Sequence, residues 1–314
     1  MEVNLTAYLL FMTGGAVLCA VLLFFAIRRK DAGGQPAVSK AAAFSALTLG
    51  LGIVLGLLGA KLLYFLFRCS YIITQGAGKF FLSLKPEELS YYGGAAGVCL
   101  ACFLSAKILG LAPEKMLNAF AAPAALMAAL ARFAEYWLGA LGTGNYMEEA
   151  LPFPFAVSEV WNPDFPEYYL AVFMLEGILS LRIALFAFGV RKERNCFLRT
   201  VFYLCLIQIL CESLRDQSIR WLFVRYEQLL CYLIAEGILV YLAVRGHREG
   251  KRTWGAAAVG LLVAALVILI EFMLDGKITL GEIGLPRIAL YGIMTVLLFE
   301  MSAAERRAWR RLEA

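Results

Sequence analysis

The sequence predicts an all-α polytopic integral membrane protein of about nine transmembrane helices, with its N-terminus outside and its C-terminus cytoplasmic. Three observations carry this reading. Hydrophobic residues make up 61% of the chain and charged residues 17%, with a mean hydropathy of +0.74; a soluble domain is nearer half apolar and a quarter charged. The apolar residues fall into runs of about 20, the length at which a helix rising ~1.5 Å per residue crosses ~30 Å of hydrocarbon. The basic residues cluster in alternate connections, which sets an orientation.

The nine runs span approximately 5–27, 41–67, 91–111, 118–142, 168–190, 196–213, 228–244, 254–274 and 284–303. The first, Leu5 to Ile27, is too long for a signal-peptide core and lacks a small-x-small cleavage site, so it reads as a retained span. Arg28, Arg29, Lys30 and Lys40 separate it from the second, which is followed by Arg68, Lys79 and Lys85. "SYYGGAAG" (Ser90 to Gly97) opens the third, and Lys107 and Lys115 border the connection to the fourth. The fourth closes in "ALARFAEYWLGALG" (Ala129 to Gly142); the acidic connection after it, "TGNYMEEALPFPFAVSEVWNPDF", holds no basic residue. The fifth leads to Arg191, Lys192 and Arg194, with Arg199 just inside the sixth. Arg215, Arg220 and Arg225 lie between the sixth, closing at "CESLRDQ", and the seventh, opening at "RYEQLL". Arg245, Arg248, Lys251 and Arg252 follow the seventh, Lys277 and Arg287 join the eighth to the ninth, and Arg306, Arg307, Arg310 and Arg311 form the tail.

The positive-inside rule places the richer, odd-numbered connections and the tail in the cytoplasm. Trp137, Trp161 and Trp221 then mark the outer interface, and Trp254 and Trp309 the inner one. The net charge of +5 follows from these anchors and gives no reason to expect nucleic acid. The eight cysteines lie mostly in apolar runs, where free Cys behaves as a small hydrophobe, so no disulfide framework is expected. Cys99 and Cys102 have metal-like spacing without a second ligand pair, and the single histidine, His247, sits in "RGHREGKR"; a His-based triad or metal centre is not expected.

Depth follows from orientation. Lys61, Tyr92, Arg132, Glu135, Glu176, Gln208, Glu212, Arg215 and Gln228 all fall in the outer half of the membrane. If the fourth span is helical to Gly142, Arg132 lies ~15 Å below its outer end, with Glu135 on the same face. Ionisable groups there are costly unless they face a bundle interior or a wet cavity. Two readings stand side by side: Arg132–Glu135 and Glu212–Arg215 as self-contained ion pairs, or the set as a polar cavity open to the outer leaflet. A guanidinium at this depth suits a lipid phosphate, since its fork matches phosphate oxygens. Gly93 and Gly94 let a headgroup approach backbone N–H groups, or permit close helix packing. Glu236 and Glu271 have no evident partner in the sequence, and Arg182 reads as a packing or snorkelling residue.

These segments, in this order, resemble the prolipoprotein diacylglyceryl transferases of bacterial plasma membranes. "GAKLLYFLF" looks like their Gly-Ala-Arg-x-x-Tyr segment with Lys61 for the arginine, and "SYYGGAAG" like their His-Gly-Gly or Tyr-Gly-Gly stretch. "ARFAEYWLGALG" resembles Gly-Arg-x-Gly-Asn-Phe-x-Asn-x-Glu, and "MLEGILSL" and "ILCESLRD…RYEQLL" resemble the later Glu-x-x-Arg and Gly-Gln segments. The departures are specific. Glu135, Leu138 and Ala140 replace two asparagines and a glutamate, Tyr92 stands where many members have histidine, and Gln208 stands where the family has arginine. "FPEYYLA" is a reduced form of the family's His-Pro-x-Gln-Leu-Tyr-Glu.

The resemblance implies a seven-helix transferase-like membrane domain over 1–248, with two further helices and a basic cytoplasmic tail over 249–314. It implies transfer of a diacylglyceryl group from phosphatidylglycerol to the lipobox cysteine thiol of a prolipoprotein, at the outer leaflet and with no cofactor or metal. Arg132 and Arg215, assisted by Lys61, would hold the lipid phosphate; Glu212 would orient Arg215; Tyr92 or Glu135 would accept the thiol proton; Gly93, Gly94, Gln208 and Gln228 would line the pocket. The rival readings are a same-fold enzyme for another lipid or acceptor, and a non-catalytic lipid- or partner-binding relative whose added helices offer a partner surface. A transporter fits less well, because no internal repeat is visible and the polar groups gather toward one leaflet.

Overall fold

A computed structural model of the chain describes residues 3–28, 37–83, 85–148, 151–162, 165–190, 195–215, 220–221, 224–278 and 286–313. Among these residues nine helices are long and apolar enough to cross a membrane. They are α1 (Leu5–Arg28), α2 (Val38–Phe67), α5 (Tyr91–Ile108), α6 (Pro113–Ala134), α7 (Val172–Val190), α8 (Cys196–Leu214), α9 (Tyr226–Arg248), α10 (Trp254–Leu274) and α11 (Arg287–Glu313). Two short helices, α3 (Cys69–Gln75) and α4 (Ala77–Leu82), lie between α2 and α5. Each expected span has its helix. Arg29, Lys30, Arg191, Lys192 and Arg194, and the side chains of Trp161, Arg220 and Trp221, lie outside the described residues.

The fourth expected span needs correction at both ends. Helix α6 starts early, at Pro113, where a proline's fixed φ suits the first turn and its missing N–H costs nothing. It stops at Ala134, and Glu135–Gly142 winds on as a 3-10 stretch interrupted at Gly139, whose φ of 73° is readily adopted only by glycine. Arg132 therefore sits in the last turn of α6, not well below the end of a helix running to Gly142.

The chain forms two compact units, Met1–Thr200 and Val201–Ala314. In the first, Leu23 and Ile27 of α1, Phe44 of α2, Cys102 and Ala106 of α5 and Phe120 of α6 share one buried core. α2 and α5 approach most closely through glycine. A Cβ on Gly59 would run into the Gly93 carbonyl, one on Gly93 into the Gly59 carbonyl, and one on Gly97 into the Leu55 carbonyl. Without a hydrophobic driving force between helices in lipid, such backbone-to-backbone contact supplies the packing energy. The connection from α6 to α7, expected as a plain loop, instead builds an antiparallel sheet: β1 (Tyr146–Met147), β2 (Ala156–Asn162) and β3 (Phe165–Leu170), in the order β1-β3-β2. Alternating "AVSEVW" and "FPEYYL" suit strands, and β3 pairs Tyr169 with Tyr146 and with Val157.

In the second unit, β4 (Arg220–Trp221) and β5 (Val224–Arg225) form a short hairpin that leads into α9. Helices α9, α10 and α11 pack on one another, burying Leu239, Leu242, Val263, Val267, Met294 and Met301. Thr253 fastens the turn between α9 and α10, its hydroxyl lying 3.2 Å from the carbonyls of Leu242 and Ala243. Lys251 donates to the Leu312 carbonyl at 3.0 Å, tying the end of α11 to the same turn.

Candidate functional site

The first unit gathers charge at the end of α6. Arg132 donates from Nε to Glu176 of α7 and from Nη1 to Glu135, the residue that caps α6. The three side chains are 3%, 4% and 13% exposed, so Glu135 is the most accessible member. The Tyr91 ring lies 3.8 Å from the guanidinium carbon, a cation–π contact on the face of the ring. Tyr92 stands edge-on to Tyr91, with ring centroids 5.1 Å apart. Both tyrosines sit in the first turn of α5, which Ser90 caps by accepting from the Gly93 N–H at 3.4 Å. Glu135 is also pressed against Gly142, where a Cβ would come within 2.6 Å of its Oε2. Arg132 thus bridges two carboxylates and is held in place by helix ends and an aromatic face.

Lys61 is used differently from the sequence expectation. Its ammonium has three donors, and three acceptors surround it: the Phe80 carbonyl at 3.1 Å, Ser83 Oγ at 3.3 Å and Glu88 Oε2 at 2.9 Å. It also lies 4.3 Å from the Phe80 ring centroid. Lys61 thus ties the α3–α4 segment to α2. Glu88, outside the spans, also accepts from Ser83. Burial pushes its carboxyl up, but the hydrogen bonds from Ser83 and Lys61 and the charge of Lys61 more than offset this and hold it below its ordinary range. Of the two glycines expected to line a pocket, Gly93 is consumed by the contact with Gly59, while Gly94 makes only ordinary contacts, with the Gly56 carbonyl and Ala60 Cβ at 3.7 and 3.8 Å.

The second unit gathers its own polar set where α8 ends and α9 begins. Gln208 donates to Glu212 Oε2 at 3.1 Å, and Arg215 Nε lies 3.9 Å from the same oxygen. Arg225 donates from Nη1 to the carbonyls of Glu212 and Arg215, the latter at 2.7 Å. The Gln228 amide nitrogen, with two N–H groups to share, lies within hydrogen-bond reach of the Ile209 carbonyl at 3.1 Å, Ser213 Oγ at 2.9 Å and Glu271 Oε1 at 2.9 Å. Ser213 donates to Glu271, and Arg225 Nε is 3.7 Å from Glu271 Oε2. Glu271 is therefore not an unpartnered acid.

The structure brings together Arg132 with Glu135, and Glu212 with Arg215 and Gln208, as their spacing suggested. It adds Tyr91, Arg225 and Glu271, which lay outside the polar set read from the sequence, and gives Glu176, a member of that set with no assigned role, a partner in Arg132. Two of these had a visible signal, since Glu176 and Glu271 are carboxylates inside apolar runs, where an acid needs a partner.

No curated protein matches this sequence closely enough for comparison. The sequence model of the prolipoprotein diacylglyceryl transferases matches residues 1–244, from the first helix into α9, and leaves α10 and α11 beyond it. With more than three quarters of its length matched, the chain belongs to the prolipoprotein diacylglyceryl transferase family.

Proposed function

We propose that the protein transfers the diacylglyceryl group of phosphatidylglycerol to the lipobox cysteine thiol of a prolipoprotein, at the outer leaflet of a bacterial plasma membrane. Family membership supports the reaction class. The observation that carries the chemistry is Arg132: buried, fixed by Glu135 and Glu176, and stacked on Tyr91. The thiol loses its proton, and its sulfur attacks the glyceryl C3 carbon. The C3–O bond breaks, and glycerol phosphate leaves with the electron pair. Arg132 stabilises the phosphate oxygens as charge develops on them, a role that a preorganised cation in a dry site fills well. Glu135, the more accessible carboxylate beside Arg132, accepts the thiol proton; Tyr92 is the alternative acceptor. Within the second unit, Glu212 orients Arg215, a guanidinium suited to an anionic lipid headgroup. Lys61 anchors the α3–α4 segment, where its three donors are engaged.

The test is transfer by the purified full chain in phosphatidylglycerol micelles to a lipobox peptide with a free cysteine, read by mass spectrometry. A diacylglyceryl adduct that disappears in Arg132→Gln is expected. Full activity in Arg132→Gln would remove the assigned role. The replacements Glu135 and Gln208 favour one other reading, a lipid-binding protein that does not turn over. Its mark is phosphatidylglycerol retained through Arg132 with no adduct formed.

A further inference from the structure

We propose that Glu271, contributed by a helix beyond the family match, is a positioning residue for the end of α8, where Glu212 and Arg215 stand. The proposal rests on the transferase reading above for what Glu212 and Arg215 do, and on geometry alone for how they are held.

A helix leaves its last four carbonyls without intrahelical partners, and in a membrane span each needs a donor. At the end of α8 Arg225 supplies that donor. Its Nη1 bonds the carbonyls of Glu212 and Arg215, and a cation at a helix C-terminus is favoured by the helix dipole as well. Arg225 is 7% exposed, and such a guanidinium needs a counter-charge. Glu271 Oε2, 3.7 Å from Arg225 Nε, provides it. The other carboxylate oxygen of Glu271 accepts from Ser213 and from Gln228, at 2.9 Å for the latter. Ser213 lies between Glu212 and Arg215 in sequence, so the same carboxylate grips α8 directly and through Arg225. Two neighbours on α11 add to the grip: Tyr291 donates to the Ser213 carbonyl at 3.2 Å, and Met294 Sδ lies 3.4 Å from Ser213 Oγ.

The α10–α11 hairpin is therefore fastened to the family-like part at both of its ends, by Thr253 at one and by Glu271 and Tyr291 at the other. A helix pair serving only as a partner surface has no need of a half-buried carboxylate turned onto α8. In this chain the hairpin completes the support of two site residues that the matched region leaves to Arg225 and Gln228.

Glu271→Gln in the full chain is the test. The amide oxygen still accepts from Ser213 and Gln228, but the charge opposite Arg225 is gone. Hydrogen–deuterium exchange across 205–215 reads the end of α8 without reference to activity. Exchange there about tenfold faster than in the parent, with kcat/KM for phosphatidylglycerol about tenfold lower per folded molecule, is expected. Unchanged exchange at 205–215 in folded Glu271→Gln overturns the proposal, and so does unchanged kcat/KM alongside an active parent. Should Glu271→Gln fail to fold, Arg225→Lys reads the same linkage, because a lysine keeps the charge but cannot bridge two carbonyls and Glu271; parent-like exchange in that variant overturns the proposal too. If the parent itself transfers nothing, the transferase reading fails, and the exchange measurement alone decides the positioning of α8.

Discussion

Arg132 shows what a single residue does in this protein. Two carboxylates from different elements take two different nitrogens of one guanidinium, so the planar fork is used as a bracket between α6 and α7. A lysine offers one compact charge and cannot reproduce that bracket. Arg132→Lys is expected to lose transfer as fully as Arg132→Gln, while the glutamine variant is the less stable of the two. Removing one partner of a buried pair costs roughly 3–5 kcal/mol because the remaining charges are left uncompensated, and thermal unfolding in detergent with the transfer assay separates the two effects. Glu88 gives a pH dependence with a definite sign. Its folded carboxyl titrates below its ordinary value of about 4.5. Its contribution to anchoring the α3–α4 segment is thus complete above that value and is lost as pH falls through the lower folded value. Limited proteolysis between residues 69 and 88 should accelerate only on that acidic side, and Glu88→Gln should show the faster cleavage already at neutral pH.

At the scale of elements, the contact between α2 and α5 is decided by which glycines meet a backbone. Gly93 and Gly94 are neighbours with the same composition and different jobs. A methyl on Gly93 has the Gly59 carbonyl in its way, and backbone cannot move aside cheaply; a methyl on Gly94 makes ordinary contacts. Gly93→Ala is expected to lower stability by about 1–3 kcal/mol, the usual range for overpacking, and Gly94→Ala to leave it nearly unchanged. Thermal midpoints of the two variants in the same detergent check this. The sequence held the two readings of this pair open because spacing does not say which face of a helix meets a neighbour. The end of α6 was missed for a related reason. The apolar run continues to Gly142, but the regular helix ends at Ala134 and gives way to a 3-10 stretch interrupted at Gly139.

For the whole molecule, an odd number of spans puts the two termini on opposite sides of the membrane. With nine such helices among the described residues, and with the basic residues gathered in alternate connections, the positive-inside rule predicts a cytoplasmic C-terminus. A variant whose sole cysteine is Cys69, at the start of α3, should then react in intact cells with a maleimide that cannot cross the membrane, and a fluorescent protein fused after Ala314 should mature in the cytoplasm. Protection of Cys69 together with an external C-terminus would invert the assignment. The same scale concerns the division of labour along the chain. The family match ends in α9, yet the second unit packs α9 with α10 and α11.

By itself the sequence determined that this is a polytopic membrane protein with about nine apolar runs of spanning length, because a 20-residue apolar run has no other solvent, and that polar groups at particular depths demand partners. The ordered motifs also pointed to the family. Pairs three or four residues apart on one helix, such as Gln208 with Glu212, could be read directly, because helical geometry makes them neighbours. Only the tertiary structure decided the pairings between elements: Arg132 with Glu176, Lys61 with Glu88, and Arg225 and Gln228 with Glu271. Those residues are 44, 27, 46 and 43 positions apart. Nothing local fixes which intramembrane acid meets which base. The choice follows from which helix faces approach closely enough to touch, and packing of small residues and helix ends sets that approach.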